Sequence, residues 1–198
     1  LKNQDITSIL PSFPNPDYPQ MEEWIRTVSD AYAVQEGNSV VIGRSISCWS
    51  ALKLAEQASM RKLILIAPTC PTPVWFSTIQ KYCADEKMFE TLKEFVQTPL
   101  DYEAIDRHVG EIVCYLSTND PYINLDDAEK FIVSHLPRTR IVRVRDAGHF
   151  GEKDGFKTFP KLLEEILQPV RIDLRMVDEN ELPVLLPDDV DFKPTGES

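Results

Sequence analysis

The chain has 198 residues, 42% of them hydrophobic, and a formal net charge of −11. That size buries one sizeable core, while the acidic balance excludes a module that grips nucleic acid through a basic face, since phosphate binding needs clustered Lys and Arg. No apolar run approaches the roughly 20 residues of a membrane span, and no basic-then-apolar stretch reads as a leader.

Cys48, Cys70, Cys83 and Cys114 form no C-x-x-C pair, and each sits beside apolar neighbours. They read as small buried hydrophobes in a reducing, cytoplasmic setting, with no metal site expected. The opening at Leu1, in a polar stretch and without Met, reads as the start of a fragment.

Residues 5–10 read as a short strand, and the proline-rich run from Pro11 to Pro19 as a loop. Met21, Trp24, Ile25, Val28 and Tyr32 recur at the spacing of one helical face. Gly37-Asn38 punctuates, and Val40-Val41-Ile42 is strand-like. A helix leaves Gly43-Arg44-Ser45-Ile46-Ser47 with Cys48, Ala51, Leu52 and Ala55 as its buried stripe. Leu63 to Ala67 is a continuous apolar run of strand length, as in a parallel strand covered on both faces. Pro68 to Pro73 is loop. Residues 75–100 mix aromatics with charges, and the clearest helix there is 85–95. Residues 112–116 are strand, 117–121 loop, 125–136 helix, 140–144 strand, 146–150 loop and 156–167 helix. Strands alternating with helices call for a mostly parallel α/β sheet, whose ligands collect beyond the carboxyl ends of the strands.

The loops that hold Ser45, Asp120 and His149 each follow a strand. A serine hydroxyl attacks poorly unless a base takes its proton; imidazole suits that task, and a carboxylate orients the imidazole. Strand, sharp turn at Ser45, then helix is the context of a nucleophile elbow, and Ser, Asp, His is the order α/β-hydrolases use. Gly43 supplies the first small residue of such an elbow; the second position is Ser47. Asp126 and Asp127 fall at a helix N-terminus, where acids are favoured anyway, and Asp146 reads as local. His108 and His135 read as structural or merely exposed.

These motifs converge on a resemblance. Leu10 to Pro19, Glu23-Trp24-Ile25, Gly-x-Ser at 43–45, Ser117 to Tyr122 and Ala147-Gly-His-Phe150 resemble, in order, the YdeN-like serine hydrolases, over about residues 6–167. The resemblance implies a three-layer α/β-hydrolase sandwich and a Ser45–Asp120–His149 triad that acts on a small ester or amide. The Ile46 N–H would be an oxyanion donor, and no cofactor is needed. Two departures stand out. Arg44 replaces a histidine of the family's Gly-His-Ser-x-Gly, a change neutral to the triad logic, and Ser47 replaces its last glycine, which is expected to strain the elbow. Family members also begin with a strand ending in His-Gly that supplies a second oxyanion N–H. That first strand is expected to be missing from this chain.

Beyond residue 168 the pattern stops, giving an expected hydrolase-like domain over 1–168 and an extended segment over 169–198. Residues 181–198 resemble a segment of bacterial leucyl-tRNA synthetase. That likeness implies a fragment of a leucine–tRNA ligase carrying a hydrolase-like insert. Its ATP site, leucine and tRNA would lie outside this chain, and no direct nucleic-acid site is evident. A catalytically silent interaction or structural insert is the alternative, with an otherwise expected small acyl substrate and no membrane partner.

Overall fold

The computed structural model describes residues 6–32 and 37–170. Four parallel strands lie side by side in chain order: β1 (Val40–Arg44), β2 (Met60–Ile66), β3 (Val109–Ser117) and β4 (Arg140–Val144). Helices α1 (Met21–Tyr32), α2 (Ser47–Ala55), α3 (Pro73–Ile79), α4 (Glu86–Val96), α5 (Tyr102–His108), α6 (Leu125–His135) and α7 (Pro160–Leu167) flank the sheet. This is the mostly parallel α/β architecture the sequence calls for. The central strands β2 and β3 are buried almost throughout, whereas β1 and β4 alternate with partly exposed positions. Two neighbours cover a central strand and one covers an edge, so the apolar runs are densest in the middle.

Helix α1 starts and ends as its periodicity predicts. Trp24 is its buried anchor: the indole Nε1 donates to the Pro14 carbonyl at 2.8 Å, and the ring stacks on Phe13 and meets Phe95 edge-on. One side chain thereby pins the proline-rich loop to the core. Phe95 and Trp75 are core residues as well.

Three elements differ from expectation. Residues 6–10 form no strand; Ile9 and Leu10 are exposed and find no sheet neighbour. Residues 102–108 are the helix α5, started by the Asp101 side chain, which accepts the Ala104 N–H at 2.9 Å. The last helix begins at Pro160 rather than 156, because proline fits the first helical turn and not the interior. The extended segment 169–198 and its synthetase-like part fall from residue 171 onward outside the described residues.

A closed ring of four charges lies at the amino ends of the strands. Lys62 Nζ reaches Glu165 at 2.7 Å and Glu111 at 3.1 Å; Arg140 Nη2 reaches Glu165 at 2.7 Å and Glu111 at 3.3 Å. Lys62 stands opposite Glu111 in the β2–β3 register and is fully buried. Burial would push the Glu165 carboxyl up, but the hydrogen bonds and charges of Lys62 and Arg140 outweigh it and hold the pKa below its ordinary value. The ring fastens α7 to three strands.

Candidate active site

The carboxyl edge of the sheet carries unusual backbone. Ser45 just past β1, Ala67 just past β2 and Asp146 past β4 are non-glycine residues at φ +56°, +45° and +53°. Left-handed non-glycine residues cost energy and cluster where function demands them. The Ser45 N–H donates to the Ile66 carbonyl at 2.8 Å, and its own carbonyl accepts the Cys48 N–H. These bonds fix the turn from both sides. A Cβ on Gly43 would fall on Cys48, so that position admits glycine alone. Strand, positive-φ serine and helix thus form the sharp turn the sequence predicts.

Ser47 bonds across this turn. Its Oγ accepts the Arg44 N–H at 2.9 Å and donates to the Arg44 carbonyl at 2.8 Å, bridging the end of β1 to the first turn of α2. The side chain expected to strain the elbow makes two hydrogen bonds across it. Ile46 follows Ser45 as the residue before α2, and no acceptor among the described residues takes its N–H. Cys48, on the first turn of α2, does not compete as a nucleophile: burial pushes its thiol up to about 12.

Asp120 and His149 meet. His149 Nδ1 lies 2.7 Å from Asp120 Oδ2, and the carboxylate is nearly sealed from solvent, with 1% of its side chain exposed against 12% for the imidazole. The other carboxylate oxygen, Oδ1, accepts the N–H groups of Tyr122 and Ile123 at 2.9 and 3.1 Å. One oxygen therefore fixes the turn while the other faces the imidazole. The rival acids do different work. Asp127 accepts the hydroxyl of Thr72, and Asp146 ties its N–H to the hydroxyl of Thr118. His108 and His135 bond to the carbonyls of Ala55 and Phe131, as structural histidines do.

Several residues that shape the site escape sequence reasoning. Ser117 Oγ accepts the Ala147 N–H and donates to Asn119 Oδ1, which accepts the Gly148 N–H at 2.7 Å. The end of β3 thus positions the start of the histidine loop. Asp154 Oδ2 accepts the N–H groups of both His149 and Gly151 at 3.0 Å. The Tyr122 ring stands edge-on to the imidazole at 4.9 Å and meets the Tyr82 ring edge-on at 4.7 Å. Arg44 Nε donates to the His149 carbonyl at 3.2 Å, bringing the base loop against the elbow, so Arg44 is not the bystander its place in the motif suggests. Among the described residues, no group of His, Cys, Asp and Glu is arranged to hold a metal ion. No helix there is long and apolar enough to cross a membrane.

A parallel sheet with a serine on a strained turn after one strand, and a hydrogen-bonded acid and histidine after two others, defines an α/β-hydrolase fold. The chain belongs to the serine hydrolase family, whose family model matches residues 6–168. It is 23% identical over 156 residues to YdeN of Bacillus subtilis (strain 168), covering 75% of this chain and 73% of YdeN. The crystal structure of the ydeN gene product from B. subtilis superposes with a TM-score of 0.62 at 21% identity, over 78% of this chain and 79% of that one. MGS-M2, an alpha/beta hydrolase enzyme from a Medee basin deep-sea metagenome library, gives 0.56 at 10% identity over 82% and 77%. These likenesses establish the fold and the family and leave the substrate open.

Proposed function

We propose that the chain hydrolyses small esters or amides through a Ser45–His149–Asp120 triad. The reading is carried by the 2.7 Å contact of His149 with a sealed Asp120, in a fold where Ser45 occupies a positive-φ elbow. His149 takes the Ser45 hydroxyl proton as Oγ bonds to the acyl carbon, and the carbonyl becomes an oxyanion that accepts the Ile46 N–H. The tetrahedral species collapses, the C–O or C–N bond breaks, and His149 returns the proton to the leaving group. Water then repeats the sequence on the acyl-serine, giving the acid and free Ser45. Asp120 holds Nδ1 protonated and stabilises the imidazolium without itself taking the proton. The chemistry calls for no cofactor.

A fluorophosphonate probe tests this reading. The wild-type chain should be labelled and Ser45→Ala should not be, while Asp120→Asn should lower ester turnover by about 10⁴-fold. An unlabelled wild type, or labelling that survives Ser45→Ala, overturns the triad and leaves the silent-module reading. The leucine–tRNA ligase parent rests on the likeness of residues 181–198 alone. Leucine-dependent aminoacylation by the full gene product is its test.

A further inference from the structure

We propose that Arg44 is a positioning residue that locks the base loop to the nucleophile elbow; the proposal rests on the triad reading above. Residues 147–151 follow a path the chain would not choose unaided. Gly148 sits at φ +54°, where an added Cβ would fall within 2.3 Å of the Asp154 carboxylate, and Phe150 holds φ +54° with a side chain that is buried. A non-glycine residue in the left-handed region relaxes unless its surroundings over-determine it. Ser117 Oγ and Asn119 Oδ1 take the Ala147 and Gly148 N–H groups from the end of β3, and two further contacts act at His149 and Gly151. Asp154 Oδ2 collects the His149 and Gly151 N–H groups from within the loop. It therefore sets the loop's shape and not its place relative to Ser45.

The second contact comes from the elbow. Arg44 Nε donates to the His149 carbonyl, and Nη2 lies 3.3 Å from where a Cβ on Gly151 would stand, so the planar fork lies along the loop. Arg44 is itself held: Ser47 Oγ takes its N–H and donates to its carbonyl, and its next neighbour in the chain is Ser45. A short covalent and hydrogen-bonded path thus runs from Ser45 through Arg44 to the His149 main chain. Among the described residues Arg44 makes no ion pair with a carboxylate, which leaves its fork to this task. A lysine could not reproduce it, having a single mobile ammonium in place of a fixed fork.

Arg44→Ala and Arg44→Lys in the full chain test this, with p-nitrophenyl acetate and the anionic p-nitrophenyl hemisuccinate as probes. Both variants should lose about ten- to a hundredfold in kcat on both esters with KM held within about twofold, the signature of lost alignment. Millimolar guanidinium should restore part of kcat to Arg44→Ala and leave the wild type unchanged. By hydrogen exchange, the His149 and Gly151 amides should open roughly tenfold more often in Arg44→Ala, with the core amides unaffected. An unchanged kcat, or a KM that rises for the anionic ester alone, overturns the proposal. Unchanged exchange at those two amides overturns it whether or not any ester is turned over. A wild type that turns over neither ester and takes no fluorophosphonate counts instead against the triad reading.

Discussion

A β-carbon on Gly43 would lie 2.6 Å from the Cα of Cys48, so strand β1 and helix α2 touch through main chain alone at this point. No rotamer change relieves a clash between main-chain atoms. Gly43→Ala must push α2 away from β1 and carry Ser45 with it. The expected result is a loss of about 1–3 kcal/mol of stability, as for overpacking elsewhere, together with loss of fluorophosphonate labelling. Thermal unfolding and labelling of the variant decide this; a variant that keeps both shows that the approach is not what shapes the elbow.

Ser47 makes a second prediction, in the opposite sense to the family pattern. Restoring the glycine removes both hydrogen bonds to Arg44 and adds backbone freedom at the start of α2. Ser47→Gly should therefore lose about 1–2 kcal/mol in urea unfolding, and Ser47→Ala somewhat less. A gain in stability on Ser47→Gly would mean that the hydroxyl crowds the turn after all.

The third prediction concerns the ring of charges. Lys62→Met leaves the carboxylates of Glu111 and Glu165 in the interior with Arg140 as their remaining partner in the ring, and breaking buried pairs of this kind costs about 3–5 kcal/mol. The same ring sets an acid dependence. Glu165 has a lower pKa folded than unfolded, so its contribution is complete above its ordinary value of 4.5 and is lost as pH falls through the lower folded value. Urea midpoints measured between about pH 2 and 6 should fall steeply at the acid end for the wild type and less steeply for Glu165→Gln. Parallel curves would place the acid-sensitive group elsewhere.

How far the sequence could be read follows from what each feature depends on. The elbow, Asp120 and His149 are legible because each sits in a loop that follows a strand-like run. The parallel sheet then places those loops on one edge. Helix α5 is not legible because only Ala104 and Ile105 of its seven residues are buried, too few to show a period, although Asp101 stands in place as a cap. The start of α7 was readable from Pro160. The ring of Lys62, Glu111, Arg140 and Glu165 was not readable, since it exists only once three strands adopt their register and α7 docks on them. Arg44 and Asp154 belong to the same class. Each acts on a loop whose bend, with Phe150 at positive φ, no local pattern announces.

That ring has a bearing on the opposite edge of the molecule. The stretch that carries His149 leaves β4, whose first residue is Arg140, and enters α7, which contains Glu165. Those two residues are ion-paired at 2.7 Å, so the stretch is a loop tied shut at its base by charge, much as a noose is held by its knot. The two side chains that close its base stand at the opposite end of the sheet from the imidazole. A sequence that exchanged those charges for apolar residues of the same volume would keep the core filled and lose this ion-paired tie between β4 and α7.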